Sequence, residues 1–254
     1  MSNLAFAVTV AFLTGFCLTV FKLIKIKLAR SYRAFFAFCC FQGIQTIVML
    51  VLGVSSHLYF QFWAVTLPLS WLLGILAVRE LCGLVLDHYQ GLKTAGRWGM
   101  YFAVAIAAGI SILTLLPHMR PAQKSNILPY VFPADRGVNF GLAIFLLVML
   151  FLLSRFPVKP NRNVMVHATL YTLFFLSNAL NILVHTFWGS KVPAGVEMGW
   201  SAVTAACAWG WFYFLSHDGE EEHMNLPRYT PEQEERILMK LEALNETLLK
   251  VAHK

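Results

Sequence analysis

The chain has 254 residues, 58% of them hydrophobic and only 13% charged, with a mean hydropathy of +0.62. A soluble domain carries about a quarter charged residues and has no use for this much apolar surface, so water is excluded as the main solvent and a bilayer is indicated. The formal net charge of +7 does not argue for nucleic acid, because the basic residues flank apolar stretches instead of forming one patch.

The charge is unevenly placed. Before position 216 the acidic residues are Glu80, Asp87, Asp135 and Glu197, against fifteen basic ones, so the body carries about +11 and the tail about −4. Cys17, Cys39, Cys40, Cys82 and Cys207 all fall in apolar stretches without CxxC or zinc-type spacing, so they read as small hydrophobes and neither a disulfide framework nor a metal site is expected.

Seven apolar stretches predict an all-α, polytopic membrane protein, a bundle of seven transmembrane helices over residues 1–215. The spans run roughly from 4 to 24, 34 to 54, 61 to 86, 99 to 116, 137 to 154, 165 to 187 and 197 to 215, each near the length that crosses hydrocarbon. The first span lacks the positive flank of a secretory signal before it and is read as a retained helix. Basic residues gather in alternate connections: Lys22, Lys25, Lys27, Arg30 and Arg33, then Lys93 and Arg97, then Arg155, Lys159 and Arg162. Positive charge stays on the cytoplasmic side, which predicts the N-terminus outside and the C-terminus inside.

Tyr59, Phe60, Trp63, Trp98, Tyr101, Trp188 and Trp200 sit near span ends and read as interfacial anchors. The stretch from Pro117 to Arg136 carries four prolines and is expected to form an irregular outer cap. Small residues recur at four-residue spacing in Ala103 and Ala107, Ala105 and Gly109, Gly137 and Gly141, and Ala202, Ala206 and Gly210, which predicts close packing of the fourth, fifth and seventh helices.

Polar residues at membrane depth are the candidate functional groups. His167, Tyr171, Asn178, Asn181 and His185 project from one face of the sixth helix. Ser70 and Glu80 share a face of the third with Thr66, near Pro68, and Gln42, Gln45 and Thr46 add donors and acceptors on the second. Such groups find no partner in lipid. They form either interhelical hydrogen bonds or a polar pocket between helices two, three, six and seven, with Trp200, Thr204, Cys207 and Trp211 facing it from the seventh. Glu80, the only acidic residue well inside an expected span, calls for a partner, and Lys22 and Arg155 lie at its depth. No cofactor is expected: His167 and His185 are about 27 Å apart by helical rise, too far to share a metal or haem. No nucleophile is paired with a base, which leaves an enzymatic reading without support.

Residues 216–229 form an acidic linker expected to leave the membrane. In residues 230–254, Thr230, Pro231 and Gln233 supply a helix start, and Ile237, Leu241, Leu244, Leu248 and Val251 follow at heptad spacing. This cytoplasmic helix is expected either to form a short coiled coil, giving a homo-oligomer or docking a cytoplasmic protein, or to lie as an amphipathic helix on the bundle or the lipid.

The seventh span has no lysine for a retinal Schiff base, the third ends in Val78-Arg79-Glu80-Leu81 in place of a receptor's acidic-arginine-aromatic triplet, and no Asn-Pro-x-x-Tyr closes the seventh. Rhodopsins and G-protein-coupled receptors are therefore disfavoured. Over residues 20 to 100 the chain resembles uncharacterised bacterial seven-span membrane proteins, through Tyr32-Arg33-Ala34-Phe35-Phe36 and Val78-Arg79-Glu80-Leu81. That resemblance implies an architecture and no activity. Function is expected to be that of a non-enzymatic, sensor-like or scaffold protein; the alternative is a small-molecule transporter with its site near the sixth helix.

Overall fold

The computed structural model describes residues 3–53, 56–86, 90–113, 128–155, 160–188 and 192–221, with parts of 235–247. Helix accounts for 93% of it and no strand is present among the described residues. Seven long helices follow one another: α1 (Asn3–Lys25), α2 (Arg33–Leu52), α3 (His57–Val85), α4 (Gln90–Leu113), α5 (Leu128–Arg155), α6 (Arg162–Trp188) and α7 (Ala194–Phe214), with a short α8 (Asp218–Glu221). Five of them, α1, α2, α3, α5 and α6, are long and apolar enough to cross a membrane, as in an integral membrane protein. α4 carries Lys93 and Arg97 in its first turns, and α7 carries Glu197 in its first turn and mixes tryptophan with glycine and alanine.

Neighbours in sequence are neighbours in space. α1 packs on α2, α2 on α3, α5 on α6, α6 on α7, and α7 closes the ring against α1, while α4 lies outside it, chiefly against α5. Large apolar side chains such as Phe21, Val51, Val65, Ile106 and Phe151 point outward, where a lipid-facing surface requires them.

Small residues set the closest approaches. A Cβ on Gly137 would lie 2.4 Å from the Cα of Ala108, and one on Gly141 would lie 2.7 Å from the Cα of Val104, so α5 is seated backbone to backbone on α4. Gly210 of α7 fits Leu170 of α6, and Gly15 of α1 fits Ala208 of α7. The rest of the expected ridge positions do not reach helix interfaces: Ala105, Ala202 and Ala206 are exposed, so that Gly210 alone of its ridge makes the approach, and Gly109 has open space around it.

One expectation about connections is corrected. α5 begins at Leu128, so Pro129 and Pro133 lie in its first turns and not in an irregular cap. The first amides of a helix have no intrahelical acceptor, which makes Pro129 inexpensive, whereas Pro133 lies inside the helix and leaves a first-turn carbonyl without its usual donor. The acidic linker does not leave the bundle at once. Ser216 accepts from Asn163 Nδ2 at 2.7 Å, Glu220 from the same nitrogen at 2.9 Å, and Gly219 is buried against Asn163. α8 is thereby latched to the start of α6 beside the buried Tyr32, whose hydroxyl pKa is pushed well above its usual value by burial and by the Glu220 carboxylate. Of the expected tail helix, residues 235–236, 239–240, 242–243 and 245–247 are helical, whereas Thr230, Ile237, Leu241, Leu244, Leu248 and Val251 lie outside the described residues.

The α4–α5 seat gives a direct test. Gly137→Ala is expected to lower stability against thermal or denaturant unfolding in detergent by about 1–3 kcal/mol through overpacking. Gly109→Ala, where the added methyl meets nothing, is expected to be neutral or to add up to about 1 kcal/mol. Equal effects of the two would contradict this packing.

Candidate functional site

Polar groups inside the bundle separate by depth. Toward the end that carries the first residues of α1, the helices spread around two adjoining cavities. Toward the other end, the interior is filled with aromatic rings.

The deeper cavity, about 270 Å³, lies among α1, α2, α3, α5, α6 and α7. Of the residues expected to form a polar pathway, Gln42, Gln45, Ser70 and Asn178 line it, together with Thr204. Gln42 Nε2 donates to Ser70 Oγ at 3.0 Å and Gln45 Nε2 to Thr66 Oγ1 at 2.8 Å, tying α2 to α3. Asn178 Nδ2 donates to the Phe174 carbonyl of its own helix at 3.0 Å. These side chains thus serve as interhelical ties and as cavity wall at once.

α5 supplies what the sequence reading missed. Asp135 and Asn139, one helical turn apart, project into the same cavity. Asp135 Oδ1 accepts from Trp71 Nε1 at 2.7 Å and from Asn139 Nδ2 at 2.8 Å. Glu80 is therefore not the only carboxylate within an apolar span. The next residue, Arg136, turns the other way and donates to Ser111 Oγ at 2.8 Å and to its carbonyl at 3.2 Å, in the last turn of α4, where a cation suits the helix dipole.

The second cavity, about 730 Å³, is shallower and wider. Tyr59, Asn181, Glu197 and Ser201 line it, and it shares Phe12, Thr46, Met49 and Thr204 with the inner one, so the two form a vestibule and a chamber. His185 stands at this end, its Nε2 3.0 Å from Glu197 Oε1, joining α6 to α7. Tyr59 and Trp63, expected as anchors, line the vestibule and the chamber respectively, whereas Trp98 and Trp188 are widely exposed, as interfacial rings are.

Beyond the chamber the core closes. Phe16, Phe35, Phe38, Tyr171, Phe174, Phe175 and Trp211 meet at ring-centroid distances between 5.1 and 6.5 Å, with Tyr171 stacked on Phe175 and crossing Trp211 edge to face. Tyr171 and His167, members of the α6 stripe, belong to this plug and line neither cavity. The Tyr171 hydroxyl and both ring nitrogens of His167 have no hydrogen-bond partner among the described residues. Phe35 and Tyr32 hold the His167 ring at 4.5 Å each, so it is packed as an aromatic.

Glu80 lies below the plug and its partner is a helix end. Its carboxylate accepts from the Ala34 amide at 3.0 and 3.1 Å and from the Phe35 amide at 3.2 Å, so it caps the N-terminus of α2, whose unpaired amides and dipole favour an anion. Of the two basic residues expected at its depth, Lys22 does not pair with it, since Lys22 Nζ donates to the Phe212 carbonyl at 2.5 Å in the last turn of α7, and the Arg155 side chain lies outside the described residues. Both charges are satisfied by helix termini, which places Glu80 in the scaffold and outside the chamber.

Comparison with protein-family models, with curated proteins and with solved structures finds no match. The chamber's own chemistry is what bears on function.

Proposed function

We propose that this is a seven-span, receptor-like membrane protein that takes up a small solute in the polar chamber from the N-terminal face, with a non-enzymatic, sensor-like role. In this reading α4 and α7 span with the other five helices, the N-terminus lies outside a bacterial cytoplasmic membrane, and residues 230–254 lie in the cytoplasm. The single observation that supports it best is the continuity of vestibule and chamber, through shared Phe12, Thr46, Met49 and Thr204, ending on an aromatic plug. A polar cavity of this kind in a bundle costs packing that interhelical hydrogen bonds alone do not require. The plug and the unbroken course of α6 favour binding over passage, since midplane transport sites are commonly built from discontinuous helices.

Water access tests the chamber. With the native cysteines replaced, Asn178→Cys and Asn181→Cys are expected to react with a small membrane-impermeant thiol reagent added outside, while Ala168→Cys in the plug region stays unmodified. Folded protein unreactive at both asparagine positions would overturn the reading and leave these residues as interhelical ties.

The tail is assigned the output role: its heptad seam pairs with a second copy of the chain, and membrane tethering raises the local concentration that two short heptads need. Cysteines placed at Leu244 are expected to crosslink in membranes. A protein that remains monomeric across a wide concentration range would contradict self-association.

A further inference from the structure

The chamber's one carboxylate and the way its amides are spent define the charge and donor pattern of a ligand. Asp135 receives both of its protein hydrogen bonds on Oδ1, from the neutral donors Trp71 Nε1 and Asn139 Nδ2. Oδ2 meets no protein donor among the described residues, and no lysine, arginine or histidine lines the cavity. Arg136, the adjacent cation in sequence, is committed to Ser111 on α4. A half-buried carboxylate in a narrow chamber at membrane depth favours a cation or a proton to balance it.

The four amide side chains around it repeat one pattern. Gln42, Gln45, Asn139 and Asn178 each direct an NH₂ group to a protein oxygen: Ser70 Oγ, Thr66 Oγ1, Asp135 and the Phe174 carbonyl. Their side-chain carbonyl oxygens accept no protein hydrogen bond among the described residues, so the wall offers acceptors with a carboxylate among them. Phe12, Trp63, Trp71 and Phe174 complete the lining with π faces, which attract cations. The wall's free donors among the described residues include the neutral Ser70 O–H and Trp63 Nε1–H, and an anion meets the Asp135 carboxylate with no cation beside it.

We propose that the chamber binds a small organic ammonium ion, its N–H donated to Asp135 Oδ2 and its charge set against the aromatic wall. A volume of about 270 Å³, below the usual range of ligand pockets, limits it to a compact amine. The inference rests on the reading of the chamber as a ligand site, and the test separates the two.

Full-length protein carrying Asn178→Cys, with the native cysteines replaced, is reconstituted in lipid nanodiscs and titrated with benzylammonium, with benzyl alcohol as its uncharged isostere, and with benzoate. The readouts are calorimetric binding and slowing of thiol modification at position 178. Benzylammonium is expected to bind saturably and protect the thiol, benzyl alcohol to bind at least about tenfold more weakly, and benzoate not to protect. Asp135→Asn is expected to remove the tenfold preference; should that variant fail to fold, the three-probe comparison on the parent protein decides alone. Equal binding of alcohol and ammonium, or a labelled thiol that none of the three probes protects, would overturn the ammonium inference and leave an accessible chamber that is neutral or holds a proton on Asp135. A thiol that never reacts would overturn the chamber itself.

Discussion

Hydrocarbon offers no hydrogen bonds, so a polar group carried into the bundle is either satisfied within it or, like His167 and the Tyr171 hydroxyl in the plug, packed at a cost, and the internal architecture follows from how that demand is met. At the end bearing Glu80 it is met by helix termini. Glu80 caps the first amides of α2, Lys22 caps the last carbonyls of α7, and Arg136 does the same for α4 near the opposite end. Each pairing satisfies a charge and an orphan backbone group together.

The remaining polar groups are the informative ones, because they are only partly satisfied by protein. Asp135, Asn139, Gln42, Gln45 and Asn178 surround open volume, whereas the residues below them fill space with rings. Phe38, Phe174 and Phe175 belong to both regions, since they floor the chamber and pack within the plug. Under the proposed function, this shared floor gives a ligand a physical contact with the core that leads through Phe35 and His167 to Tyr32 and the α8 latch on Asn163. Such adjacency is a route, and coupling along it requires two arrangements of the plug.

Much of this was legible in the sequence. Hydropathy located the seven long helices, and period 3.6 brought Gln42, Gln45, Ser70 and Asn178 to inward faces, since lipid leaves polar residues no other place. The same periodicity did not distinguish His167 and Tyr171 from Asn178, because a helical face is read without its depth in the bundle or the ring sizes of its neighbours. Asp135 escaped because Pro129 and Pro133 read as loop; the first turn tolerates Pro129 and the helix runs on through Pro133, and the Asp135-to-Asn139 spacing was the signal for continuing the helix outward. The partner of Glu80 escaped because a helix N-terminus carries its positive charge on backbone amides, which no residue letter displays. The tail's seam is legible as a pattern, but Ile237, Leu241, Leu244, Leu248 and Val251 lie outside the described residues.

The central claim is that the bundle is wet on one side of the aromatic plug and dry on the other. Hydroxyl-radical footprinting of the protein in nanodiscs, read residue by residue by mass spectrometry, addresses it without substituting any side chain. Oxidation is predicted at Met49, Trp63 and Trp71, which line the water-accessible cavities, with Trp211, Tyr171 and Met100 protected in the core. Protection of Trp63, Trp71 and Met49 to the level of Trp211 would contradict the account.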